Sequence, residues 1–260
     1  MAVLLYVLLG LLGLAVGSFL NVVIHRLPRG ESLSRPPSHC PACGAAIRAR
    51  HNVPLLGWLV LRGRCADCGA AIGVRYPAVE LATGLLFVAL AARLHRLQLL
   101  AALPAYLYFA AIGIALAVID IDLKRLPNRI VLPSYPVLAV LLAGAAAADG
   151  DGWRLARAGL AAAALFGFFL ALAFAYPAGM GFGDVKLAGL LGLVLGFLSW
   201  SAVLVGTFAG FLLGALIGIA VLASRRGNRK TAVPFGPFLI AGALVAIFAG
   251  NTLAGWYPVG

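Results

Sequence analysis

Eight apolar runs dominate this chain, at 3–24, 77–92, 97–119, 130–147, 155–176, 185–198, 201–223 and 233–256. About 20 apolar residues match the hydrocarbon thickness of a bilayer. Lipid offers no water to the backbone, so such runs must satisfy their own hydrogen bonds as helices. The expectation is an all-α, polytopic membrane protein with about eight transmembrane helices. Composition agrees, since 63% of the residues are apolar and 11% charged, which excludes an ordinary soluble domain. The sixth run is short and glycine-rich. It is expected to be tilted, or to begin inside the protein, where irregular backbone is tolerated because it lines a cavity.

The net charge of +12 raises the idea of nucleic acid, but its distribution argues against that partner. Basic residues fall mainly in alternate loops. Sixteen of the twenty lysines and arginines lie in segment 26–76, in the loop with Lys124, Arg125 and Arg129, at Lys186, and at Arg225, Arg226, Arg229 and Lys230; the other four are Arg93, Arg96, Arg154 and Arg157. The positive-inside rule makes the first set cytoplasmic and places both termini outside. The first run has no basic leader segment and no small-residue cleavage site, and Arg26 and Arg29 follow it. It therefore reads as a retained anchor rather than a signal peptide.

All four cysteines stand in one hydrophilic insert, as Cys40-Pro41-Ala42-Cys43-Gly44 and Cys65-Ala66-Asp67-Cys68-Gly69. Two C-x-x-C knuckles, each followed by glycine, suit a tetrahedral four-thiolate zinc site, which leaves the ion no open position and makes its role structural. Two disulfides are the alternative, disfavoured by the reducing cytoplasm in which the charge rule puts this loop. A redox motif lacks the strand-helix pattern around it. His39 reads as a solvated loop histidine, and Asn52, Pro54 and Trp58 as packing between the loop and the membrane surface. The expected division is a first transmembrane helix at 1–25, a four-cysteine loop at 26–76, and a transmembrane domain at 77–260.

The chain has only eight acidic residues, and two of its acidic sites sit against apolar runs. Asp184 lies in Gly179-Met180-Gly181-Phe182-Gly183-Asp184-Val185-Lys186; Asp120 and Asp122 end the third run. A carboxylate at membrane depth is costly, so its default reading is functional. A helix N-cap is the structural alternative for Asp184. Two carboxylates that share a proton can activate water. Asp120 stands deeper in its run than Asp122, which reads as an interfacial charge beside Lys124 and Arg125. Gly181 and Gly183, without Cβ, would let an unwound backbone pass close to a substrate strand. Glu80 reads as a helix N-terminal acid; Asn21, His25 and Arg26 sit at the cytoplasmic end of the first run, where His25 reads as a positive interfacial anchor rather than a catalytic base; and Gly236 between Pro234 and Pro237 reads as a broken entry to the last run.

These residues carry a resemblance. Gly-Phe-Gly-Asp at 181–184, and Asp120 before Leu126-Pro127-Asn128, resemble the GxGD aspartyl proteases, specifically the prepilin peptidases of type IV pilus and type II secretion systems. The stretch from Gly17 to Pro28, the four-cysteine loop, Arg75-Tyr76-Pro77 with Glu80, and Pro234-Phe235-Gly236-Pro237-Phe238 extend the resemblance over nearly the whole chain. It implies a bacterial inner-membrane endopeptidase that removes the leader of prepilins or pseudopilins at the cytoplasmic face. Asp120 and Asp184 would be its catalytic pair, and Gly181 and Gly183 its active-site backbone. A role for Glu80 in linking the cysteine loop to the bundle follows from the same match.

Relatives with this cysteine loop also methylate the new N-terminal amine with S-adenosylmethionine. No G-x-G-x-x-G follows a strand here, so that activity rests on the resemblance alone. A proton-coupled transporter is the rival reading of the two aspartates; it predicts inverted repeats and acids near the bilayer centre. A zinc-ribbon scaffold that recruits partners accounts for the cysteines but leaves Asp184 and its glycines without a task.

Overall fold

The computed structural model describes residues 2–176, 180–224 and 234–254. Gly179, the four basic residues between 225 and 230, and positions 233, 255 and 256 of the last apolar run lie outside the described residues. Within them are nine α-helices and no strand, only the isolated bridges His39–Ala46 and Arg64–Ala71. The helices are α1 (Ala2–Arg26), α2 (Leu56–Val60), α3 (Arg75–Arg96), α4 (Leu103–Leu123), α5 (Asn128–Asp149), α6 (Gly152–Ala175), α7 (Phe182–Leu198), α8 (Trp200–Ala223) and α9 (Gly236–Ala254).

Eight of these match the eight apolar runs, and α2 is a short turn within the cysteine loop. Six are long and apolar enough to cross a membrane. The 17-residue α7 and the segment Gly236–Ala249 of α9 are shorter. Large apolar side chains such as Val3, Val140, Phe174 and Leu204 are more than 70% exposed. Only lipid makes that exposure inexpensive, so the chain is a multi-pass membrane protein. Trp153 and Trp200 stand in the first turns of α6 and α8, where an amphipathic ring suits the membrane-water interface.

The chain forms two compact units, one of residues 1–96 with 110–115, the other of 97–109 and 116–260. Lipid supplies no hydrophobic force between helices, so close backbone approach at small residues has to hold them. In the first unit α1 packs on α3 through Gly13, Gly17 and Gly84, and a Cβ on Gly17 would lie 2.7 Å from the Cα of Glu80. In the second unit Gly192 and Gly196 of α7 sit against Ala161 and Ala158 of α6, and Gly242 of α9 against Gly206 and Gly210 of α8.

Helix α7 explains its own shortness. From Val185 to Phe197 every residue except Lys186 is buried, so its walls are protein and it has no need to match a bilayer alone. Its C-terminal carbonyls, which no helix satisfies internally, receive the Arg157 guanidinium of α6: Nε donates to Gly196 at 2.7 Å, and Nη2 to Phe197 and Leu198 at 2.8 Å each.

Candidate active site and four-cysteine centre

Helix α4 ends where Lys124 enters the left-handed region at φ 50°, its amide donating to the Asp120 carbonyl at 2.8 Å. Pro127 then caps α5 in an extended conformation. The chain therefore reverses within 124–127, as expected of Pro127. Asp120, on the last turn of α4, is 5% exposed, whereas Asp122 lies on the exposed surface. Burial thus separates the two acids in the sense that depth in the apolar run suggests.

A group 116 positions away holds Asp120: the Gly236 amide donates to Oδ2 at 3.0 Å. A Cβ on Gly236 would stand 2.8 Å from that oxygen, so only glycine lets the start of α9 approach this closely. Asp184 is held in the same manner by a local donor, the Gly181 amide reaching its Oδ2 at 3.2 Å. It occupies the third position of α7, not the N-cap, and its carboxylate closes one half of a capping box. The two carboxylates are close enough to interact electrostatically. Leu126 packs against both glycines that shape the site, since a Cβ on Gly183 would lie 3.1 Å from Leu126 Cβ and one on Gly236 3.3 Å from its Cδ2.

Neither described glycine of the break has a backbone that only glycine could adopt. Gly183 is already helical and Gly181 has ordinary extended dihedrals. Gly183 owes its place to the space that Leu126 fills rather than to an unwound backbone. Sequence reasoning gave no role to three nearby contacts. Lys186 Nζ donates to Asn128 Oδ1 at 2.9 Å and lies 4.7 Å over the Phe182 ring, while Tyr135 Oη donates to the Lys186 carbonyl at 2.7 Å. These join the N-terminal turns of α5 and α7. Their only sequence signal is a lysine two residues after a motif aspartate.

In the first unit the sulfurs of Cys40, Cys43, Cys65 and Cys68 all lie within 4.8 Å of one another, and all four cysteines are free thiols. The two knuckles are copies of one turn. Cys40 N donates to Ala45 O at 2.9 Å and Cys65 N to Ala70 O at 2.8 Å, with Gly44 and Gly69 at φ 73° and 74° closing them. Four thiols this close cannot all ionise unaided. Backbone amides of Cys43 and Ala42 bring Cys40 down to about 7. At Cys43 the Ala45 amide acts downward, but the Cys68 thiol, burial and the other two thiols push it up to about 12. A divalent cation at the centre removes that conflict, so the donor set fits a metal of the zinc class. His39 is exposed, with Nδ1 3.2 Å from the Pro37 carbonyl oxygen, and stands outside the sulfur cluster.

The loop is tied to its helices. Glu80 Oε2 accepts the Leu55 amide at 2.8 Å, Asn21 Nδ2 donates to the Tyr76 carbonyl at 3.1 Å, and Trp58 Nε1 to the Ile72 carbonyl at 3.1 Å. The link between Glu80 and the loop is therefore a hydrogen bond to the backbone. Arg26 is 8% exposed and donates to the Ser32 carbonyl, so it holds the start of the loop.

An all-helical membrane chain with two buried or half-buried aspartates at helix ends, and a separate four-thiol centre, has the makings of a membrane-embedded aspartyl protease. Residues 11–94 match the Bacterial Peptidase A24 N-terminal domain and residues 107–219 the Type IV leader peptidase family. The chain is 37% identical to a prepilin leader peptidase/N-methyltransferase of Aeromonas hydrophila, with 95% of this chain and 91% of the relative covered. Proteins of the same description from Legionella pneumophila and Bacillus subtilis (strain 168) are 35% and 34% identical, covering 97% and 96% of this chain and 94% and 96% of their own. No solved structure matches. This chain belongs to the type IV leader peptidase family and is an enzyme. The transporter reading finds no support among these relatives.

Proposed function

We propose that this protein removes the leader peptide of type IV prepilins or pseudopilins at the cytoplasmic face of a bacterial inner membrane, with Asp120 and Asp184 as the catalytic pair, and then N-methylates the new N-terminus. The observation that carries the catalytic part is the pairing of two carboxylates at the ends of α4 and α7, each held through Oδ2 by one backbone amide, from Gly236 and Gly181. A fixed oxygen on each side leaves Oδ1 of each available to a shared water. One carboxylate takes a proton from that water as its oxygen adds to the scissile carbonyl. The other, protonated, gives its proton to the carbonyl oxygen, and a proton then passes to the leaving amine as the C–N bond breaks. The pair titrates as a unit, so the roles belong to the pair. Gly181 and Gly183 keep the approach to Asp184 free of side chains.

Basic loops face a basic leader, so charge attraction does not account for capture of the substrate. Entry of its apolar helix between spans is the reading that fits the lipid-exposed helices. Zinc at Cys40, Cys43, Cys65 and Cys68 would neutralise thiolate charge and cross-link the loop, without a place in peptide hydrolysis. S-adenosylmethionine would supply the methyl group. We place the pilus or type II secretion apparatus downstream of the product, and keep the division into 1–25, 26–76 and 77–260 for the membrane anchor, the cysteine loop and the peptidase.

The test is cleavage of a purified prepilin by purified enzyme in detergent. Asp120→Asn and Asp184→Asn each keep shape but cannot cycle a proton, and are expected to lose cleavage by a factor of about 10⁴ or more, as when a member of a catalytic set is removed. Asp122→Asn is expected to retain most activity. Near-normal cleavage by Asp120→Asn with loss in Asp122→Asn would overturn the pairing.

A further inference from the structure

Helix α7 carries Asp184 on its first turn, so the aim of that carboxylate depends on how α7 is turned about its own axis. A carboxylate stands about 6 Å from the axis of its helix, and a rotation of about 10° carries it about 1 Å. A displacement of that size costs about 100-fold in rate when the reacting groups have to be aligned. The C-terminal half of α7 is set by its packing on α6 through Gly192 and Gly196; the first two turns need a holder of their own. We propose that Tyr135 and Asn128 of α5 are that holder, gripping Lys186, which makes Tyr135 and Lys186 positioning residues for leader cleavage. The proposal rests on the assignment of Asp120 and Asp184 as the catalytic pair and adds to it the residues that aim Asp184.

Tyr135 carries the argument. Its hydroxyl donates to the Lys186 carbonyl at 2.7 Å. A carbonyl oxygen inside a helix has a second lone pair, so the hydroxyl adds to the helical bond without replacing it. It reaches that oxygen through a notch in α7: a Cβ on Gly189 would overlap the hydroxyl and stand 3.2 Å from Tyr135 Cζ. Only glycine opens that notch. Turning α7 one way drives its backbone into the tyrosine, and turning it the other way stretches the bond.

The Lys186 side chain supplies the second grip. Its Nζ donates to Asn128 Oδ1 at 2.9 Å and lies 4.7 Å from the centroid of the Phe182 ring, one turn earlier on α7. Asn128 and Tyr135 are seven residues apart on α5, about two turns, and therefore share one face of it. Asp184 and Lys186 are two residues apart and stand about 200° apart around α7. The grip thus acts from nearly the opposite side of the helix to the carboxylate. Leu126, packed on Gly183, bears on the same first turn from the connection between α4 and α5.

Cleavage of prepilin by the purified full-length enzyme in detergent tests this, together with inhibition by a prepilin peptide whose scissile amide is replaced by a hydroxyethylene group. That hydroxyl takes the place of the shared water, so its affinity reports the alignment of the two carboxylates and not the fraction of enzyme that is active. Tyr135→Phe keeps the ring and removes only the hydroxyl. It is expected to lower kcat about 10- to 100-fold and to raise the inhibition constant about as much, with KM within about twofold of wild type. Lys186→Met is expected to act in the same direction, and Lys186→Arg, which still donates to Asn128, to restore most of the rate. Gly189→Ala is expected to act like Tyr135→Phe, and to add little in a Tyr135→Phe background, where the overlapping atom is gone. A lowered kcat with an unchanged inhibition constant would make the grip structural and overturn its positioning role. Wild-type kcat in both Tyr135→Phe and Lys186→Met, with Asp120→Asn and Asp184→Asn inactive, would overturn the grip and leave the catalytic pair standing. If those two aspartate variants cleave normally, the pair itself falls and takes the grip with it.

Discussion

At the scale of single residues, the site depends on groups whose value lies in what they lack. Gly236 has no Cβ where one would press on Asp120 Oδ2, and its amide is the donor that orients that oxygen. Gly236→Ala is expected to push the carboxylate or the start of α9 aside at a strain of about 1–3 kcal/mol. Read as transition-state energy, about 1–3 kcal/mol is roughly 5- to 150-fold in the rate of leader cleavage. A steady-state assay on prepilin checks this; an alanine variant cleaving at the wild-type rate would show that the orientation of Asp120 is not set by this contact. Asp120 and Asp122 differ by two positions along α4 and hence by about 200° around it, so one is buried and its neighbour exposed.

Among the elements, α7 is the one whose existence needs explanation, being short, buried and glycine-rich. Arg157 is the external group that completes its C-terminus, giving three charge-assisted hydrogen bonds to carbonyls that would otherwise have no partner. Arg157→Ala is expected to cost about 1.5–3 kcal/mol and to lower the melting temperature of the detergent-solubilised protein by roughly 3–12 °C. Lysine cannot form the same fork and should rescue little. A melting temperature unchanged within a degree would remove this account of α7. The cysteine loop is the second such element. Metal analysis of protein prepared without chelator is expected to find one zinc per chain, lost in the Cys40→Ser, Cys43→Ser double variant, with cleavage reduced far less than by loss of Asp184. Absence of zinc from the wild-type protein with its thiols reduced would refute the metal centre.

For the molecule as a whole, the charge pattern predicts an orientation that the chemistry requires. Sixteen of twenty basic residues fall in the segments that the positive-inside rule assigns to the cytoplasm: 26–76, the α4–α5 turn with Arg129, Lys186 and 225–230. A cysteine introduced at Asn228 is therefore expected to be shielded from a membrane-impermeant thiol reagent in intact cells, and one introduced at Asp149 to react. The reverse pattern would invert the bundle and remove a cytoplasmic leader from the reach of Asp120 and Asp184. Both aspartates belong to the second unit, so this test also decides on which side of the membrane that unit works.

What could be read along the chain was whatever depends on neighbours in sequence. Apolar run length forecast eight helices, because a segment in lipid has to satisfy its own backbone. Knuckle spacing forecast the thiol cluster, because each C-x-x-C closes locally on its glycine. The GxGD motif and the turn at Pro127 marked the two acidic sites. Only the tertiary structure decided the rest. It placed the Gly236 amide on Asp120, packed Leu126 against Gly183, ended α7 on a guanidinium from α6, and set Glu80 of α3 on the Leu55 amide of the cysteine loop. Each of these joins atoms of separate elements, brought together where small residues let helix backbones approach closely. Glycine and alanine carry no one-dimensional label for which partner they will meet.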